Sequence, residues 1–293
     1  LLRRSAPRND DPQAFHSLII FRKFIPRSLI FNMIGIIILI LFAIGVALYA
    51  ERQQKIREYK LPDNARNLLN ANVAFYRELD KNGKAAFEER VRDFLARVTI
   101  TGVGVEVEDL DRLLVASGAI IPIFAFPDWR YRNISEVLLY DGTFNREFKT
   151  DSNDRDITGM VGDGAMHREM ILSKPALRAS FQNSSDGQNV AIHEFAHLID
   201  KADGATDGVP EYLLTRPYVL PWIKIMHQTM QEIIESEKTD INPYAAASDS
   251  EFFAVVSEYF FEKPHELQAH HPELYAMLER MFRAPANKPT KSL

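Results

Sequence analysis

Between Val190 and Asp200 the chain carries His193-Glu194-Phe195-Ala196-His197, a set of residues that could do chemistry together. On an α-helix, positions i and i+4 lie one turn apart on the same face. His193 and His197 can therefore aim two imidazoles at one metal ion. Glu194 sits beside them, placed to act as general base on a water at that metal. Val190, Phe195, Ala196 and Ile199 supply an apolar remainder that would hold such a helix inside a domain. The competing reading is a core helix whose two histidines are merely hydrogen-bonded.

A catalytic zinc site needs a third protein ligand and a fourth position left for water. Beyond His197 the chain offers Glu211, Glu232, Glu235, Glu251, Glu258 and His227. Glu251 and Glu258 lie seven apart on one expected helix, Asp249 to Phe261, whose other residues are mostly apolar. Seven residues is almost two turns, so both carboxylates fall near one face. Burying a carboxylate there is costly unless something neutralises it, and a metal would. Each has a rival role: Ser248-x-x-Glu251 is also a capping box, and Glu258 could form a salt bridge or stand behind a ligand. Spacing leaves both open as the third ligand. Asp200, three residues after His197, either orients a ligand imidazole or closes the helix. His227, His265, His270 and His271 read as surface residues, and adjacent residues such as His270 and His271 do not face each other on a helix. Trp129 and Trp222 read as packing residues.

The elements that must position these groups come from periodicity and turn chemistry. Helices are expected at Asn70–Asp80 and Lys84–Val98, joined by a turn at Lys81-Asn82-Gly83. Val103, Val105 and Val107 alternate as a short strand, and Asp109 opens an apolar helix ending near Pro122. Ile134–Tyr140 and Glu169–Ser173 are further strand runs, the latter expected as a sheet edge along which an extended peptide could lie. Residues 150–166, rich in Asp, Asn and Gly, are expected to be an exposed loop, and Asn183–Gln188 a polar lead into the histidine helix. Helices at Tyr218–Ser236, Asp249–Glu262 and Pro272–Arg283 complete a domain over residues 65–285. Helices dominating around a few strands give the fold class α+β.

The chain has 293 residues, 46% hydrophobic and 26% charged, with no cysteine, which excludes disulfides and thiolate metal sites. Its net charge of −5 is unevenly spread. Residues 1–50 hold six Lys/Arg against two Asp, whereas the remainder holds 29 against 38 and is strongly acidic. That excludes nucleic acid as the main partner. Leu29 to Ala50 contains no charged residue and only Asn32 as a strong polar interruption. It is apolar on every face and long enough for a hydrocarbon core of ~30 Å, so residues 29–50 are expected to be a single transmembrane helix in a lipid bilayer. Residues 1–28 would then be a tail, 51–64 a linker and 286–293 a second tail. Arg22, Lys23 and Arg27 before the span, against Arg52, Lys55, Arg57 and Lys60 after it, do not decide orientation. Synthesis starting at Met33 would leave only the second group and put the large domain in the cytoplasm, the expected location. Mass spectrometry finding a peptide from upstream of Met33 would exclude that start.

The run Asn189 to Asp200, followed by Gly208-Val209-Pro210, Tyr244-Ala245-Ala246 and Glu251 to Phe261, resembles the Mlc titration factor A family of zinc-dependent peptidases. The resemblance extends over about residues 65–285. It implies a zincin-like metallopeptidase fold of the gluzincin type, similar to the catalytic domain of anthrax lethal factor. It also implies Zn²⁺ held by His193, His197 and Glu251, and so resolves the choice that spacing left open. Tyr244, seven residues before Glu251, would assist catalysis by hydrogen-bonding the tetrahedral oxyanion, and Glu194 would be the general base of peptide-bond hydrolysis. The substrate would be a peptide or protein. The family also implies an alternative partner, a transcriptional regulator, because its founding member binds a repressor of sugar uptake. The expected apolar span is a departure from the family.

Overall fold

The computed structural model describes residues 27–143, 157–162, 168–183, 187–214, 216–236 and 238–283. The tails expected at 1–28 and 286–293 fall outside them except for Arg27 and Ser28, as does much of the loop expected at 150–166. The chain divides into two units, Leu1–Glu58 and Tyr59–Leu293.

In the first unit the helix α1 (Arg27–Glu58) contains the whole apolar run. Its large side chains are uncovered: Phe31 is 72% exposed, Leu39 67% and Phe42 69%. It is the one helix among the described residues long and apolar enough to cross a membrane.

The second unit opens with α2 (Ala65–Asn72), α3 (Ala74–Glu78) and α4 (Lys81–Leu95). Lys81-Asn82-Gly83, expected as a turn, is instead the first turn of α4. The Asp80 side chain accepts the Gly83 N–H at 2.7 Å, so an N-cap overrides the glycine signal. Among the described residues four strands follow: β1 (Thr99–Val103), β2 (Glu136–Tyr140), β3 (Gly159–Val161) and β4 (Glu169–Ser173). They form one sheet in the order β1-β2-β4-β3, with β3 antiparallel to β4 and the other pairs parallel. Of the three valines expected to alternate as a strand only Val103 lies in one, as the last residue of β1, and β3 lies inside the stretch expected to be loop. In consequence β4 is not an edge. It is buried from Met170 to Ser173, and β3 takes the outer position.

Between β1 and β2 runs α5 (Asp109–Ile123), in which every residue from Leu113 to Ile123 is buried. Between β4 and the polar lead expected at Asn183–Gln188 lies a helix that periodicity missed, α6 (Lys174–Gln182), capped by Ser173 accepting the Ala176 N–H. Then come α7 (Val190–Asp200) and α8 (Arg216–Glu235). The chain closes with α9 (Asp249–Glu262), α10 (Pro264–His270) and α11 (Pro272–Phe282). α7 packs against α5 on one side and α9 on another, with β3 beside it. Gly118 permits the close crossing of α5, since a Cβ there would collide with the Ala191 side chain. Phe195, fully buried, stands edge-on to Phe94 with ring centroids 5.6 Å apart. Burial of such a ring stabilises by about 1.5–3 kcal/mol, which fixes which face of α7 turns inward.

Candidate metal centre

Two helices meet at the site, and each starts on a side-chain cap. Asn189 accepts the Ile192 N–H at 3.1 Å to begin α7, and Ser248 accepts the Glu251 N–H at 3.2 Å to begin α9. With Phe195 turned into the core, His193 and His197 project together from the opposite side of α7. Their rings stand 4.8 Å apart. Glu251, one turn into α9, reaches both. The capping role proposed for it is filled by its backbone N–H, which leaves its carboxylate to face the imidazoles.

The three groups converge. His193 Nε2 lies 3.1 Å from Glu251 Oε2 and 3.2 Å from His197 Nε2, and His197 Nε2 lies 3.4 Å from Glu251 Oε2. Ligands at about 2.0–2.1 Å from a tetrahedral zinc stand about 3.3–3.4 Å from one another. The triangle is therefore the size of one face of a zinc tetrahedron. Among the described residues, no other group of three or more His, Asp or Glu has this arrangement.

The far nitrogens of both rings are held. His193 Nδ1 pairs with Glu258 Oε1 at 2.7 Å, and His197 Nδ1 with Ser250 Oγ at 3.0 Å. A carboxylate can only accept, so Nδ1 of His193 carries a proton, and Nε2 is the ring atom left to face a metal at the centre. Glu258 also accepts the Asn189 N–H at 2.5 Å, tying it to the start of α7. Glu251 and Glu258, alike by spacing, thus occupy opposite sides of one imidazole.

The electrostatics favour a cation. Burial works to lower the His193 pKa, but hydrogen bonds with Glu251 and Glu258 raise it well above its ordinary value. Burial likewise opposes charge on Glu251, yet hydrogen bonds from His193 and His197 hold its carboxyl well below the usual carboxylate range. Two carboxylates around two imidazoles thus make a place that prefers positive charge. The donor set fits a divalent metal accepting two neutral imidazoles and one carboxylate oxygen.

Glu194 is buried beside this centre, 5% exposed, and burial raises its pKa above the ordinary carboxylate value. It is packed against β3: a Cβ on Gly159 would come within 2.6 Å of Glu194 Oε1 and 2.9 Å of Val190 Cγ2. Tyr244 sits on a 3₁₀ turn, Pro243–Ala246, started by Asn242 accepting the Tyr244 N–H. Its ring is half exposed and roughly parallel to His193, with centroids 6.2 Å apart. The fold therefore brings all five candidates, His193, Glu194, His197, Tyr244 and Glu251, to one place.

Asp200 is the last residue of α7. It is fully buried and accepts the Gly208 N–H at 2.9 Å, while Ser250 rather than Asp200 holds His197. Ser250, Gly159 and Gly208 are the contributors that spacing did not reveal. Ser250 adjoins Glu251 at a helix start and was findable there. Gly208 falls in the Gly208-Val209-Pro210 run that carries the family resemblance, whereas Gly159 has no sequence signal that points to the centre.

A model of the glucose-regulated metallo-peptidase M90 family matches residues 48–283. Among similar proteins, the uncharacterized protein slr2042 of Synechocystis sp. is 29% identical over 243 residues, covering 79% of this chain and 87% of that protein. Mlc titration factor A of Pectobacterium atrosepticum is 29% identical over 178 residues, 56% of this chain and 64% of that one. Mlc titration factor A of Edwardsiella ictaluri is 35% identical over 130 residues, 42% of this chain and 48% of its own length. The chain thus spans less than two thirds of either titration factor. The family match, in contrast, runs over most of the chain and through every converging residue, and the chain belongs to the glucose-regulated metallo-peptidase M90 family.

Proposed function

We propose that this chain is a zinc-dependent peptidase, anchored in a membrane by α1, that hydrolyses peptide bonds at the centre built by α7 and α9. The observation that carries the reading is the triangle of His193, His197 and Glu251 at tetrahedral-edge distances, with Glu194 and Tyr244 beside it. His193, His197 and Glu251 would hold the ion. When bound, zinc supplies Lewis acidity toward a carbonyl and makes water a nucleophile at neutral pH.

The remaining steps belong to the chain. Glu194 takes the proton of the attacking water and delivers it to the leaving amine. Its burial supports this role, because a raised pKa brings a carboxylate closer to the basicity a proton shuttle needs. The Tyr244 hydroxyl donates to the developing oxyanion. β3 carries the substrate backbone. Thr158 C=O and Gly162 N–H point to β4, so alternation turns the peptide groups of Gly159 and Val161 outward, where an extended peptide can pair with them.

Metal content tests the reading. The purified chain is expected to hold one zinc, which Glu251→Ala loses together with hydrolysis of aminoacyl-anilide and peptide substrates. A wild type that hydrolyses them equally well after chelation would contradict it.

A second reading has support in the names of two relatives, both called Mlc titration factor A. The chain would bind a transcriptional regulator, with hydrolysis secondary. Glu194 and Tyr244 favour the peptidase, since a surface that only binds needs neither beside a metal.

A further inference from the structure

Asp200 is a fully buried acid outside the metal triangle, and its neighbours form a closed loop of contacts that returns to it. Its Oδ2 accepts the Gly208 N–H at 2.9 Å, while its Oδ1, equally buried, has no hydrogen-bond partner among the described residues. Gly208 has φ +72° and lies against the first residue of α9, so close that a Cβ would strike the Asp249 carbonyl. The Gly208 carbonyl accepts the Trp222 indole N–H at 2.7 Å. Trp222 is fully buried on α8 and packs on Phe252 and Phe253 of α9, with ring centroids 5.8 and 6.2 Å away. The next residues of α9 are Ser250, which holds His197, and Glu251, which faces both imidazoles.

We propose that Asp200 is a positioning residue for the metal centre: through Gly208 it sets where α9 begins relative to α7, and so places Ser250 and Glu251 against His193 and His197. This rests on the metal reading of the site given above. Two features set the brace apart from ordinary loop packing. Only glycine tolerates both the left-handed φ and the contact with Asp249 at position 208. A carboxyl is also an expensive way to accept one N–H in a buried place, where burial pushes its pKa up to about 6. Asp203 and Asp207 on the following loop and His197 on α7 are the charged or titratable groups acting on it.

Zinc affinity, measured by competition with a chromogenic chelator on the full chain, tests the brace. Asp200→Ala is expected to weaken zinc by roughly 10–100-fold, the usual effect of removing a residue that orients ligands. Asp200→Asn, which keeps an acceptor for Gly208, should lose less than about tenfold, the lower bound of that range. Gly208→Ala should weaken zinc as Asp200→Ala does, and the double variant should be no weaker than either. Should Asp200→Ala fail to fold, Trp222→Phe decides: it removes the other hydrogen bond to Gly208 while keeping an aromatic ring, and its zinc affinity must fall. Wild-type affinity in Asp200→Ala, equal losses in the Asn and Ala variants, or wild-type affinity in a folded Trp222→Phe would each overturn the proposal. A wild type that binds no zinc would overturn the metal reading as well, whereas zinc bound alike by wild type and Asp200→Ala overturns the brace alone.

Discussion

Glu251 and Glu258 are both carboxylates on one face of one helix, yet they do different work. Glu251 faces Nε2 of both imidazoles, whereas Glu258 accepts from Nδ1 of His193 and from the backbone at the start of α7. Spacing could not separate them, because seven residues on a helix returns to nearly the same direction. What separates them is the partner helix, and its crossing over α9 is a tertiary fact. Asp200 was ambiguous for the same reason: its partner, Gly208, belongs to a loop whose course follows from packing around Trp222. Tyr244 is the residue whose role is most exposed to test. Its position beside His193 fits a donor to the oxyanion, so Tyr244→Phe should retain zinc and lose about 100–1,000-fold in kcat with little change in KM, as removal of one such donor does. Single-turnover hydrolysis measures this. An unchanged kcat would remove Tyr244 from the chemistry.

At the scale of elements, helices with strong apolar stripes and clear caps were legible, above all α5, α7 and α9. Short or weakly patterned ones were not. α6 carries polar residues through its exposed face and hides its cap, Ser173, at the end of a strand. β3 has three residues, one of them a glycine, so no alternation announces it; it exists because β4 offers a partner. That missed strand moved the sheet edge, and with it the expected place for a substrate backbone. Gly159 on β3 is where the edge and Glu194 touch. Gly159→Ala should lower hydrolysis at least 100-fold while zinc content and helical signal stay at wild-type levels, because its Cβ would displace Glu194, and a general base in the role proposed for it is worth about 100–10,000-fold. Parallel measurements of zinc, circular dichroism and turnover check this. Full activity in the variant would show that Glu194 has more room than the fold gives it.

For the whole molecule, the issue is what α1 does for the unit that carries the candidate metal centre. Its residues from Phe31 to Ala50 are exposed, and lipid is an environment that would cover such a helix on every side. The full chain should stay with the membrane pellet through alkaline carbonate extraction, and a reporter fused to its C-terminus should be active in the cytoplasm. Release by carbonate would contradict the anchor, and a reporter active only outside would reverse the orientation. A tether of this kind would restrict a peptidase to substrates that come to the bilayer surface. All of this depends on the centre being catalytic. The most direct measurement is zinc content together with peptide hydrolysis in Glu194→Gln, which keeps the shape of the side chain and removes its basicity. One zinc per chain with hydrolysis reduced by about 100–10,000-fold is the expected result. Wild-type turnover in that variant would contradict it.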